Sequence, residues 1–149
     1  MAGQGDQMAA KLTVEELQNL LDAEFPRTFH RDGGYVIEEV WSGGSRVRKH
    51  FDKASLRPGG TIAGTTLMAL TDIAMYVAIL ATIGWKPLTV TTNLNINFLR
   101  KPEACDLLGE ARLLKLGKRL VVGDIAIRTD GQDELVAHAT STYSIPADR

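Results

Sequence analysis

The stretch from Gly59 to Thr82, GGTIAGTTLMALTDIAMYVAILAT, constrains the chain more than any other. From Thr65 to Leu80 it is built of helix formers, with Leu67, Met68, Leu70, Ile73, Met75, Val77, Ile79 and Leu80 falling on every side of a helix. Such a helix is expected to be enclosed rather than to lie on a surface. A membrane span needs about 20 predominantly apolar residues. Here Thr65, Thr66, Thr71 and Asp72 interrupt the run and the rest of the chain reads as amphipathic strands, so no membrane span is expected. Asp72 is the one charge. A buried carboxylate without a partner is costly, so a chain that keeps one there has a use or a partner for it. Gly59, Gly60 and Gly64 open the helix and leave its first N–H groups free to meet an anion or a developing oxyanion. Two accounts stay open at this point: a reactive carboxylate, or a core helix whose Asp72 bonds a neighbouring donor.

Ahead of this helix, residues 1–10 lack periodicity and read as a mobile terminus, with residues 11–149 as a single domain. Thr13 and Glu16 have capping-box spacing, and Val14, Leu17, Leu20 and Leu21 follow at helical intervals up to Phe25 and Pro26. Arg27 to Gly34 reads as a loop. Tyr35–Trp41 and Ser45–Phe51 form a hairpin about Gly43-Gly44, and the weak alternation of the second strand suggests a sheet edge.

Behind the helix come four strand-like runs: Leu88–Arg100, Asp106–Lys115, Arg119–Arg128 and Glu134–Ile145. In the first, strict alternation puts Leu88, Val90, Leu94, Ile96 and Phe98 on one face and Thr89, Thr91, Asn93, Asn95 and Asn97 on the other. Helix, two strands, one long apolar helix, four strands is an α+β plan in which an antiparallel sheet wraps one helix.

With 149 residues the chain can bury a substantial core, and a formal net charge of −1 gives no electrostatic pull toward nucleic acid. Cys105 is single, so no disulfide framework or thiolate cluster is expected, and His30, His50 and His138 are too scattered for a metal motif. The first thirty residues show no secretory pattern, which makes the cytoplasm the expected location.

Three segments in order, RPGGTIAGTTLMALTDIAMY, TVTTNLNINFLRKP and LLKLGKRLVVGDIAIR, resemble the hotdog-fold acyl-CoA thioesterases of the PaaI-like (phenylacetyl-CoA thioesterase-like) type over roughly residues 35–145. The resemblance implies a curved antiparallel sheet wrapped around the helix, and protomers that pair with both sites at their interface. That family opens its site with Asn-x-x-Gly-x-x-His-Gly-Gly and follows with an acid seven residues later. Laid on this chain, Asp72 falls on the acid, while Gly60 and Gly64 fall on glycines. Thr65 takes the last glycine's place, Ala63 the histidine's and Arg57 the asparagine's. Thr91 falls where related enzymes hold the attacking water with Ser or Thr.

The resemblance thus implies an acyl-CoA substrate, no cofactor, and hydrolysis to a free acid and CoA. Asp72 would serve as general base or nucleophile, and the N–H groups of Gly64 and Thr65 would polarise the carbonyl. Eight helical residues separate Gly64 from Asp72, about 12 Å at 1.5 Å per residue. One helix therefore cannot present both to one carbon, and a dimer with composite sites, with pairing of dimers left open, is expected. Arg100, Lys101, Lys115, Lys118 and Arg119 are candidate phosphate contacts, against an ordinary reading as solvated strand ends. Arg57, beside the glycine turn, is a candidate to meet a negatively charged acyl group or to fill the gap left by Ala63, and Tyr76, one turn beyond Asp72, to line the acyl pocket or simply to pack as a core aromatic. Two rival readings stand beside hydrolysis. One is a domain that binds acyl-CoA without turnover, for which Ala63 and Arg57 speak. The other is an acyl-thioester hydratase, which needs a histidine this helix lacks.

Overall fold

The computed structural model describes residues 8–29 and 34–147; most of the expected mobile terminus, and His30, lie outside them. The first helix, α1, runs Val14–Glu24 behind the expected capping box: Thr13 accepts from the Glu16 N–H, and the Glu16 carboxylate accepts from the Thr13 N–H. Its Leu17 and Leu21 enter the core, and Gln18 Oε1 accepts from the Ile37 N–H at 2.8 Å, tying the helix to the sheet.

Six strands follow: β1 Tyr35–Trp41, β2 Gly44–Lys49, β3 Val90–Phe98, β4 Leu107–Leu116, β5 Leu120–Thr129 and β6 Leu135–Ser144. They make one sheet in the order β1-β2-β4-β5-β6-β3, with every pairing antiparallel. The second helix, α2, spans Gly64–Ile83, between β2 and β3 in the chain. It lies against the concave side of the sheet, as the hotdog arrangement requires. Ten of its 20 residues are buried, among them Leu67, Leu70, Met75, Ile79 and Leu80. α2 has the length and hydropathy of a membrane span. Here that apolar surface is consumed by the sheet.

Three expectations need correction. β2 is not an edge: it pairs with β1 on one side and β4 on the other, and its weak alternation reflects a polar outer face carrying Arg46 and Arg48 against Glu38. α2 is not enclosed all round. Thr65, Met68 and Ala69 form an exposed stripe on its first two turns, with Met68 41% accessible. Third, the alternation of β3 is broken by a bulge at Thr92, where the register with β6 steps from Thr91↔Tyr143 to Asn93↔Thr142. The extra residue reverses the faces beyond it. Thr89 and Thr91 therefore point to the helix together with Leu94, Ile96 and Phe98, while Val90 points out with the asparagines.

Close approach of helix to sheet is made possible by small inward residues. A Cβ at Gly123 would stand 2.6 Å from the Met75 sulfur and 2.8 Å from the Arg112 carbonyl oxygen. Gly123→Ala is therefore expected to lower stability by about 1–3 kcal/mol through overpacking against backbone that cannot retreat. Urea unfolding with an unchanged m-value checks this.

Candidate active site

Asp72 lies midway along α2 with its carboxylate directed at the seam between β3 and β6. Tyr143 donates to Asp72 Oδ1 at 2.6 Å and to the Asp72 main-chain oxygen at 2.9 Å, and Thr91 donates to the same Oδ1 at 2.7 Å. Asp72 thus has the neighbouring donors that the core-helix account asks for, but they converge on one oxygen. Among the described residues no donor meets Oδ2. The carboxylate is held at one corner and open at the other. Such a group can accept a proton from water or attack an electrophile.

Burial, reinforced by the Asp72 hydrogen bond and the negative charge it borders, pushes the Tyr143 phenol well above its ordinary range, so it remains a neutral donor. Tyr143 was not singled out in the sequence. Its signal lies in β6, where the inward row Ala137, Ala139, Ser141 is small to admit α2 and then ends in one long polar side chain. Tyr76 stacks on Tyr143 with centroids 6.2 Å apart, donates to the Pro87 carbonyl oxygen at 2.8 Å, and takes the Phe25 ring edge-on. These rings, with Ile73 and Phe29, wall an open pocket of about 400 Å3 that ends on Asp72, Thr89 and Thr91. Phe25 and Phe29 come from the close of α1 and the loop after it, which pattern reading left without a role.

The N terminus of α2 faces a different pocket. Gly59 and Gly60, at φ +100° and +81°, form a tight turn in which the Gly60 N–H donates to the Arg57 carbonyl and the Arg57 N–H to the Thr61 carbonyl. Gly64 alone is helical. Ala63 caps the helix without a side-chain hydrogen bond, so its first N–H groups stay open. Gly64 fits beneath the Phe98 ring, and Arg57, Leu99, Arg100 and Lys101 complete a pocket of about 480 Å3. Thr65 is exposed on the first turn.

The structure therefore gathers Asp72, Thr91 and Tyr76 at one end of β3, and Gly64, Arg57 and Arg100 at the other, with Ala63 beside them. Lys118 and Arg119 join neither pocket. They sit exposed in the β4–β5 turn, level with Val90, because Leu120 pairs with Ser144, which pairs with Val90. His138 lies on the outer face of the sheet with Nε2 3.1 Å from Asp124 Oδ2. Among the described residues, no three or more His, Cys, Asp or Glu are grouped to hold a metal.

An antiparallel sheet wrapped on one long central helix is the hotdog fold. Residues 59–136 match the Thioesterase superfamily, and the chain belongs to that family. A Saccharolobus solfataricus protein described as a candidate esterase is 33% identical over 134 residues, 90% of this chain and 86% of that one. A candidate thioesterase of Silicibacter sp. TM1040 superposes with a TM-score of 0.84 at 40% identity, over 95% of this chain and 97% of the other. A phenylacetic acid degradation-related protein of Ralstonia eutropha matches at 32% identity and a TM-score of 0.68, covering 74% of this chain and 84% of its own.

Protonated Tyr143 has a pH consequence. Burial raises the phenols of Tyr143, Tyr76 and Tyr35, the last to about 12, above their ordinary value of 10.0. The folded state then keeps protons that the unfolded chain loses. This contribution is full below pH 10 and declines as pH rises through the folded values. Unfolding free energy should fall as pH rises past 10, and less steeply in Tyr143→Phe, measured by urea titration at each pH.

Proposed function

We propose that the protein hydrolyses acyl-CoA thioesters at sites shared between two copies of the chain, with Asp72 as the reacting carboxylate. The observation that carries this reading is the asymmetry of Asp72: Oδ1 is occupied by Tyr143 and Thr91, and Oδ2 is open to the pocket. Water beside Thr91 gives a proton to Oδ2 as its oxygen adds to the thioester carbonyl carbon. The carbonyl electrons move onto oxygen, and the resulting oxyanion is met by helix N–H groups. Collapse breaks the carbon–sulfur bond, and the CoA thiolate recovers the proton from Asp72. The same open oxygen also suits direct attack to form a mixed anhydride, which water then cleaves.

Support for a composite site comes from β3. Asp72 lies about 12 Å along α2 from Gly64, and the two pockets open at opposite ends of β3. β3 is also one of the two edge strands, and it carries Val90 and Phe98 at 54% and 52% accessible. A bare edge is a template for another strand. Two β3 strands paired antiparallel about a twofold axis set the Asp72 end of one against Gly64 of the partner subunit. The exposed stripe Thr65, Met68, Ala69 adjoins the same seam. Arg57, Arg100 and Lys101 from one copy, and Lys118 and Arg119 from the other, then flank the site as cations for the CoA phosphates.

The second reading, binding without turnover, draws on Ala63 and Arg57 where related enzymes carry His and Asn. One substitution separates the two. Asn in place of Asp72 keeps an oxygen for Tyr143 and Thr91 but replaces the open oxygen with an amide nitrogen. Asp72→Asn should fold with little change in melting temperature and lose kcat by on the order of 10²-fold or more. Full turnover in a well-folded variant ends the catalytic assignment. Sedimentation should find at least a dimer at assay concentration; a fully active monomer would defeat the shared-site proposal.

A further inference from the structure

Tyr143 from β6 lies 2.6 Å from Asp72 Oδ1, and Thr91 from β3 lies 2.7 Å from the same atom. The Tyr143 hydroxyl is also 2.9 Å from the Asp72 main-chain oxygen, so it is tethered to the residue twice, with the shorter contact on Oδ1. Burial commits Tyr143 to its proton, so it stays a donor. Tyr76 gives its hydroxyl to the Pro87 carbonyl, and among the described residues no Lys, Arg or His lines this pocket. Donors on Oδ1 favour the charged carboxylate and so weaken Oδ2 as a base. The same donors suit a different task. Two hydrogen bonds fixed in advance on one oxygen stabilise the negative charge that gathers there when the attached carbon is attacked. The attached carbon here is Cγ of Asp72 itself.

We propose that Tyr143 and Thr91 form an oxyanion hole for the Asp72 carboxyl group, and that water cleaves an acyl–Asp72 anhydride at Cγ rather than at the acyl carbon. This rests on the thioesterase reading given above and follows its mixed-anhydride branch. Oδ2 adds to the thioester carbonyl carbon, the carbon–sulfur bond breaks, and the CoA thiolate departs. Water then adds to Cγ, giving one proton to the thiolate, while the carbonyl electron pair moves onto Oδ1 beneath its two donors. Collapse restores the double bond, breaks the bond from Cγ to Oδ2, and sends the second proton to solvent. The acid leaves with Oδ2 in it. Because Oδ1 keeps its donors, the oxygen from water takes the open position that Oδ2 vacated, and it reaches a product only in the next turnover.

The test is a single turnover in water enriched in the heavy oxygen isotope, with the full-length protein in excess over substrate. The substrate is the fastest of acetyl-, hexanoyl- and phenylacetyl-CoA, and protein kept without substrate gives the background. Mass spectrometry should find heavy oxygen in the Asp72-bearing peptide and none in the acid, with label entering the acid from the second turnover on. Label in the first acid, with Asp72 at background, would overturn the proposal and leave the thioesterase reading standing. No thiol release from any of the three substrates would sink both. Tyr143→Phe and Thr91→Val should each release thiol in a rapid burst, then turn over more slowly than wild type by on the order of 10²-fold. Loss of burst and turnover to the same degree would reduce these residues to positioning Asp72 and overturn the oxyanion hole. If either variant fails to fold, the destination of the label in wild type decides the matter.

Discussion

The structure depends on hiding α2. A helix that is apolar on most of its circumference cannot rest on one flat neighbour, and the sheet answers by curving around it. That curvature needs room at the contact, which Gly109, Gly123, Ala111, Ala137 and Ala139 provide on the inward face. Ser45 adds a polar tie by donating to the Ala74 carbonyl at 2.7 Å in the core. The first two turns of α2 escape the wrap most fully. There the helix keeps its open N–H groups and its exposed stripe, while Asp72, at mid-helix, is half-buried.

The anchoring of Asp72 shows how one side chain serves packing and reactivity together. Two neutral hydroxyl donors stabilise the carboxylate without giving it a cation as partner. A salt bridge would have neutralised the group; Tyr143 and Thr91 orient it and leave half of it available. The cost falls on Tyr143, whose phenol is buried and committed to its proton.

Much of this was legible in the sequence because α2 is so extreme in composition. Its approximate bounds, the capping box of α1, the hairpins and the α+β plan all follow from periodicity and turn residues. Asp72 announced itself as a lone charge in an apolar run, whereas Thr91 came only from family resemblance. What could not be read was topological. Nothing local says that β2 is interior and β3 at an edge, because strand order is a long-range property. The bulge at Thr92 was hidden because Thr, Thr and Asn all fit either face. Tyr143 was hidden because its partner lies 71 residues away in the chain.

The bulge has a further consequence for how this protein tolerates change in length. Upstream of Thr92, β3 aims hydroxyls at the helix; downstream, it aims Leu94 and Ile96 there. One residue reconciles two incompatible demands, a polar lining for the carboxylate and an apolar lining for the core. Loss of a single residue between Thr91 and Leu94 would force the strand to satisfy one demand by abandoning the other. The segment is therefore sensitive to residue count as well as to residue type. Insertions and deletions there should be far less tolerated than substitutions, even though its side chains are among the more exposed in the sheet.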